Sequence, residues 1–125
     1  MIRGVGLDVV SVARMRRWLA DPGLLERFFH GDELKLTAAK GEHAVLGLAA
    51  RFAAKEAFGK ALGTGLAGFT LRDIRVTNDV HGKPSLVLCG RAEEEFLKRG
   101  GGIVHVSLTH EHDYALAMVV IEEGA

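Results

Sequence analysis

Apolar and other residues alternate at the start of the chain. Val5, Leu7 and Val9 fall on one side of residues 2–10, and Gly4, Gly6 and Asp8 on the other. A period of two predicts a strand, one whose second face is nearly bare and carries a carboxylate. Ser11 stands where an N-cap belongs and opens a short helix to about residue 19. Its apolar stripe is Val12, Met15, Trp18 and Leu19, with Arg14 and Arg17 on the opposite face. Asp21-Pro22-Gly23 breaks that helix, residues 24–29 read as another, and residues 31–40 as a further turn or helix starting near Asp32. The longest helical signal covers residues 42–62. It is rich in Ala and Leu, with Lys and Glu on its surface, and it stops at Gly63, a natural C′ residue.

Beyond Gly63 the period shortens again. Ile74 and Val76 have strand spacing within residues 70–78, and a turn over residues 79–83 leads into a strand over residues 85–89. Residues 91–98 read as a helix with Ala92, Phe96 and Leu97 apolar. Two final strands, residues 103–109 and 114–121, are joined by residues 110–113, a connection short enough to require an antiparallel hairpin. Strands and helices do not alternate regularly, so the fold class is α+β. One compact domain over residues 1–125 is expected, an antiparallel sheet packed against one long and several short helices.

Composition narrows the function classes. With 125 residues there is room for one domain. Sixteen basic residues balance sixteen acidic ones, and 48% of the chain is hydrophobic. Such a chain is not disordered and lacks the overall positive charge that draws nucleic acid. One cysteine, Cys89, allows no internal disulfide, which suits a reducing cytoplasmic setting. No segment approaches the roughly 20 apolar residues that span a bilayer, so neither nucleic acid nor membrane is an expected partner. Sixteen glycines are many for this length, and they cluster at Gly4 and Gly6, at Gly63, Gly65 and Gly68, and at residues 100–102.

Several residues are candidates for chemistry. Asp8, ending an apolar strand on a glycine face, is either a ligand for a hard cation with room for substrate beside it or a helix cap. Glu56 shares a helix face with Ala49, Phe52, Ala53 and Lys60 and is expected to be partly buried, so it needs a cation or a hydrogen-bond network. Lys60 at i+4 would satisfy it as an ordinary pair worth about 0.2–0.5 kcal/mol. Against so simple a reading, Arg51 and Lys55 add positive charge to the same helix, suggesting an external anion such as phosphate. Residues 63–68 match G-x-G-x-x-G but follow a helix, which excludes a dinucleotide-binding Rossmann fold. They remain open as a C-cap and turn or as an anion nest. His105, Ser107 and Thr109 share one strand face, and His110 and His112 lie close by, without the spacing of a tetrahedral zinc set. Arg14, Arg16 and Arg17 make a basic helix, either a solvated face or a docking strip for an acidic protein.

Taken together, Gly4-Val-Gly-Leu-Asp8, Arg51-Phe-Ala-Ala-Lys-Glu-Ala-Phe-Gly-Lys60 with Gly63-Thr-Gly65, Gly82-Lys-Pro84 and His105-Val-Ser-Leu-Thr-His110 resemble the holo-acyl-carrier-protein synthase family, the short class of 4′-phosphopantetheinyl transferases. The resemblance implies transfer of the phosphopantetheine arm of coenzyme A to a serine of an acyl carrier protein, releasing adenosine 3′,5′-bisphosphate, in fatty acid biosynthesis. It assigns Mg2+ to Asp8 and Glu56, and coenzyme A phosphate contact and proton transfer to Lys60. Arg51 and His105 match positions facing the phosphates, and Gly63, Gly65 and Pro84 fall in its coenzyme-binding segments. Arg14 and Arg17 match the basic strip that meets the acidic carrier. A homotrimer with each active site between two subunits is implied. Thr109 stands where the family often has serine, and residues 31–47 show no match to its lysine-bearing stretch. The residues themselves leave the proton acceptor open between Glu56 and a metal-bound water. They also leave open a non-catalytic coenzyme A or nucleotide-binding module, and a structural trimer with a buried Glu56–Lys60 pair.

Overall fold

The computed structural model describes residues 1–37 and 41–124; the end of the short helix expected to run toward Lys40 lies outside them. In chain order the elements are β1 (Ile2–Ser11), α1 (Val12–Trp18), α2 (Pro22–Phe28), α3 (Gly31–Thr37), α4 (Glu42–Leu62), a 3-10 turn (Leu71–Asp73), β2 (Ile74–Asn78), β3 (Pro84–Leu88), α5 (Gly90–Lys98), β4 (Ile103–His110) and β5 (Tyr114–Glu122). The expected α+β class holds. Ser11 caps α1 by accepting from Arg14 N at 3.4 Å. Asp21 likewise caps α2 through Leu24 N, with Pro22 opening the helix. At the far end of α4, Gly63 takes φ 88°, the left-handed C-cap its position foretold.

Three strands form an antiparallel sheet in the order β1-β5-β4, and β2 with β3 forms a separate antiparallel pair. Asp8 lies opposite Ala117, and His105 opposite Val120. Across one face of the larger sheet runs α4, in contact with all three strands. It is buried around most of its circumference, contributing Leu48, Ala49, Ala53, Ala54, Ala57 and Phe58 to the core. A helix apolar nearly all round belongs at the centre of a fold.

The strand–helix contact inverts one expectation. The glycine side of β1 leaves no space for a substrate, because α4 lies directly on it. A Cβ on Gly4 would sit 1.9 Å from the Ala61 carbonyl oxygen, and one on Gly6 1.9 Å from that of Ala57. Glycine here is what lets a helix backbone touch a strand. The alternate side, Val5, Leu7 and Val9, faces outward instead, each more than half exposed, and Met118 of β5 joins it. This apolar sheet face has no cover within the described residues of the chain.

Candidate active site

Close approach of β1 and α4 brings three predicted residues together. The Lys60 ammonium donates to Asp8 Oδ1 at 3.0 Å and to the Leu7 carbonyl at 2.9 Å. Glu56 lies one turn back along α4, half-buried, and its carboxyl is pushed above the ordinary glutamate range. Burial is the main cause and the neighbouring Asp8 carboxylate adds to it, while Lys60 and Arg14 pull the other way. Lys60 therefore pairs with Asp8, and its side chain is 52% exposed. That geometry is not the buried Glu56–Lys60 pair of a purely structural protein.

Lys55 departs from its expected place. Far from adding surface charge, it is fully buried and points to the opposite side of α4. Its ammonium donates to Glu33 Oε1 at 2.6 Å, to the Leu71 carbonyl at 3.0 Å and to the Ile74 carbonyl. Burial lowers its basicity and Glu33 opposes that shift. No sequence motif singled out Glu33, which comes from α3, 22 residues away along the chain. A lone acid preceding a long helix reads as surface charge, and only a knowledge of which helix packs on which marks it as a buried partner.

Arg51, four residues before Lys55 on α4, is mostly buried, its side chain 12% exposed, and extends toward the end of β2. Its Nη1 donates to the Gly47 carbonyl at 3.2 Å and its Nη2 to Asn78 Oδ1 at 3.1 Å. Asn78 in turn donates to the Gly82 carbonyl at 3.1 Å, so Arg51 is tied to the turn that leads to Pro84. Asn78 is a second residue that sequence patterns missed. Arg14 lies over the rings of Trp18 and Phe52, at 5.3 and 5.5 Å, and close enough to Glu56 to influence it. Arg16 pairs with Glu42, and Arg17 is exposed.

Three expected site residues, Gly63, Gly65 and His105, stand apart. The amides of Gly63, Thr64 and Gly65 all turn back onto the Gly59 carbonyl, at 3.1, 3.3 and 3.0 Å, so this turn closes α4 and those three donors are not presented as an anion nest. Gly65 has φ 60°, and a Cβ on Gly59 would meet the Gly65 carbonyl oxygen at 2.4 Å. His105 projects from the outward face of the sheet, where Nε2 lies 2.9 Å from Glu122 Oε1. Asp8, Glu56 and Lys60 gather where β1 meets α4. One chain does not bring His105 to them.

A carboxylate pair with a lysine, set by a glycine-faced strand on a central helix, defines a class, and the comparisons with known proteins agree with it. Residues 4–119 match the 4′-phosphopantetheinyl transferase superfamily, and the chain belongs to that family. A holo-[acyl-carrier-protein] synthase of Treponema denticola is 54% identical over 122 residues, covering 98% of this chain and 99% of that protein. Among solved structures, the holo-[acyl-carrier-protein] synthase of Neisseria meningitidis superposes with TM-score 0.90 at 36% identity, over 98% of this chain and 100% of that one. The synthase of Bacillus anthracis, solved in complex with coenzyme A (3′,5′-ADP), superposes with TM-score 0.82 at 35% identity, over 99% of each chain.

Proposed function

We propose that this chain transfers the 4′-phosphopantetheine arm of coenzyme A to a serine of an apo acyl carrier protein and releases adenosine 3′,5′-bisphosphate. The observation that carries this reading is the Asp8–Glu56–Lys60 cluster, where burial and a neighbouring carboxylate both oppose ionisation of Glu56. Close carboxylates at the rim of a core are the donor set of a hard cation that completes its shell with water and phosphate oxygens. Among the described residues no third His, Cys, Asp or Glu gathers with them. Asp8 and Glu56 would therefore hold Mg2+, which when bound neutralises charge on the phosphate oxygens.

The remaining work falls to the chain's own groups. Lys60, held beside Asp8 with half its side chain in solvent, is available to a phosphate oxygen. Arg51 presents a second cation beside Asn78, which holds the Gly82 carbonyl and pairs across the strands with Pro84. The nucleophile is the carrier's serine, which accounts for the lack of a nucleophile motif here. The serine proton would pass to a base at this cluster, Glu56 being one candidate. Arg17, exposed, and Arg14, stacked beside Glu56, offer positive charge to an acidic carrier next to the reacting atoms.

Three copies assembling through the outward sheet face would cover Val5, Leu7, Val9 and Met118 and bring His105 of one copy to the cluster of another. We infer a cytoplasmic setting and a role in fatty acid biosynthesis, which the coenzyme A and carrier reading supports. No helix among the described residues is long and apolar enough to cross a membrane.

The deciding experiment incubates apo acyl carrier protein with coenzyme A, Mg2+ and this protein, and reads carrier mass. A gain of one phosphopantetheine arm is expected; no gain while a known synthase succeeds in parallel defeats the proposal. Glu56→Gln is expected to keep the fold and lose about 10²–10³-fold in turnover. Light scattering reads the trimer.

A further inference from the structure

Glu33 is completely buried and lies outside the cluster that performs the chemistry. Its Oε1 accepts from Lys55 Nζ at 2.6 Å and from the His30 amide at 3.0 Å. Its Oε2 accepts from the Val76 amide at 3.2 Å and faces Arg51 Nε at 3.9 Å. Lys55 spends its remaining donors on the carbonyls of Leu71 and Ile74. One carboxylate thus ties α3 to α4 and to β2 at once. Just outside it, Arg51 reaches Asn78 at the end of β2, and Asn78 holds the Gly82 carbonyl.

Stability alone does not call for this arrangement, since apolar groups of similar volume replace a buried ion pair at little or no cost. What a carboxylate adds is direction: two oxygens with fixed geometry, one for Lys55 and one for β2 and Arg51. Arg51 needs such direction, because its Nε is buried and no hydrogen-bond partner for it is found among the described residues. The negative Oε2 is what that edge of the guanidinium faces, and it leaves the opposite edge turned outward toward Asn78.

We propose that Glu33 is a positioning residue for recognition of the coenzyme A phosphates: it orients Arg51 and, through β2, sets its distance from the Gly82–Pro84 turn. The proposal rests on the transferase reading, which gives Arg51 a phosphate to meet. Glu33 touches no substrate and acts only through Arg51.

Titration calorimetry with adenosine 3′,5′-bisphosphate and steady-state kinetics test it. Glu33→Gln is expected to raise the Kd for the bisphosphate and the KM for coenzyme A about tenfold. The KM for the carrier protein and kcat per folded molecule stay as they are. In an Arg51→Ala background the same substitution is expected to add nothing. A lower kcat with unchanged KM for coenzyme A, or an equal further loss in the Arg51→Ala background, would assign Glu33 to folding alone and overturn the proposal. Should Glu33→Gln fail to fold, the double variant Glu33→Gln/Lys55→Met removes both buried charges and keeps the volume. Folded double variant with unchanged bisphosphate affinity also overturns it, and a rise in Kd supports it. Binding is read without the transfer reaction. An unmutated chain that binds the bisphosphate but modifies no carrier therefore defeats the function and leaves the Glu33 comparison intact, whereas one that does neither overturns both.

Discussion

Lys55 and Lys60 sit five residues apart on one helix, each 3.0 Å or less from a carboxylate oxygen, and they do opposite things. Five residues turn about 140° around a helix, so one lysine points into the core and the other to the rim of the sheet. Lys55 is fully buried, with Glu33 and two backbone carbonyls holding its ammonium. Lys60 keeps half its side chain in water and shares Asp8 with the solvent. A charge fully committed to buried neighbours specifies structure, whereas one held at the surface by a carboxylate and a carbonyl keeps solvent access for a ligand. The same helix therefore carries a buried ion pair on one side and a solvent-facing pair on the other.

Breaking the buried pair is expected to have the largest effect on stability. Lys55→Ala leaves Glu33 uncompensated and should cost about 3–5 kcal/mol in urea unfolding. A loss below about 1 kcal/mol would mean that water reaches Glu33 and that the contrast with Lys60 is false.

Next in size is Gly6→Ala, whose Cβ meets the Ala57 carbonyl oxygen at 1.9 Å and must push α4 off β1. A cost of about 1–3 kcal/mol is expected, as for other overpacked sites. Because the same contact sets Asp8 against α4, transfer activity of the folded fraction should fall as well. Unchanged activity there would show that the cluster tolerates a displaced helix.

Lys60→Ala sharpens the contrast from the other side. As a half-exposed pair it should cost less than about 1 kcal/mol of stability, yet carrier modification should slow strongly. The test is to measure both on one preparation; a stability loss as large as that of Lys55→Ala would erase the distinction.

The smallest effect is in pH dependence. Burial and Asp8 raise the Glu56 carboxyl, so ionising it opposes folding. This group's stabilising protonation is present at low pH and lost as pH rises through its raised value in the folded state. Chemical denaturation should show a slight gain on acidification through that window in the unmutated protein and not in Glu56→Gln. Mg2+ affinity should run the opposite way, falling with acidification at a pH above the usual glutamate range. Identical profiles for the two proteins would contradict the placement of Glu56.

Much of this was legible from the chain. Period two at β1, the cap at Ser11, the end of α4 at Gly63 and the final hairpin depend on local spacing and on residues with strong conformational preferences. Asp8, Glu56 and Lys60 were legible as a group because they fall in motifs that resemble a known family. Partial burial of Glu56 followed from its apolar helix face. Harder to read were Lys55 and the glycine side of β1. Helical periodicity says which residues share a face, but α4 is buried on nearly every side, so periodicity did not distinguish the face with water from the face with a partner.

What the sequence by itself determined is the set of elements and their order, since those depend on interactions within a few residues. Tertiary structure alone decided that the glycines of β1 admit a helix and not a substrate, and that Lys55 is interior and paired with Glu33. Each of these depends on which surfaces meet and how closely, and the free energy of burying a charge or removing a Cβ exists only once two distant segments are in contact.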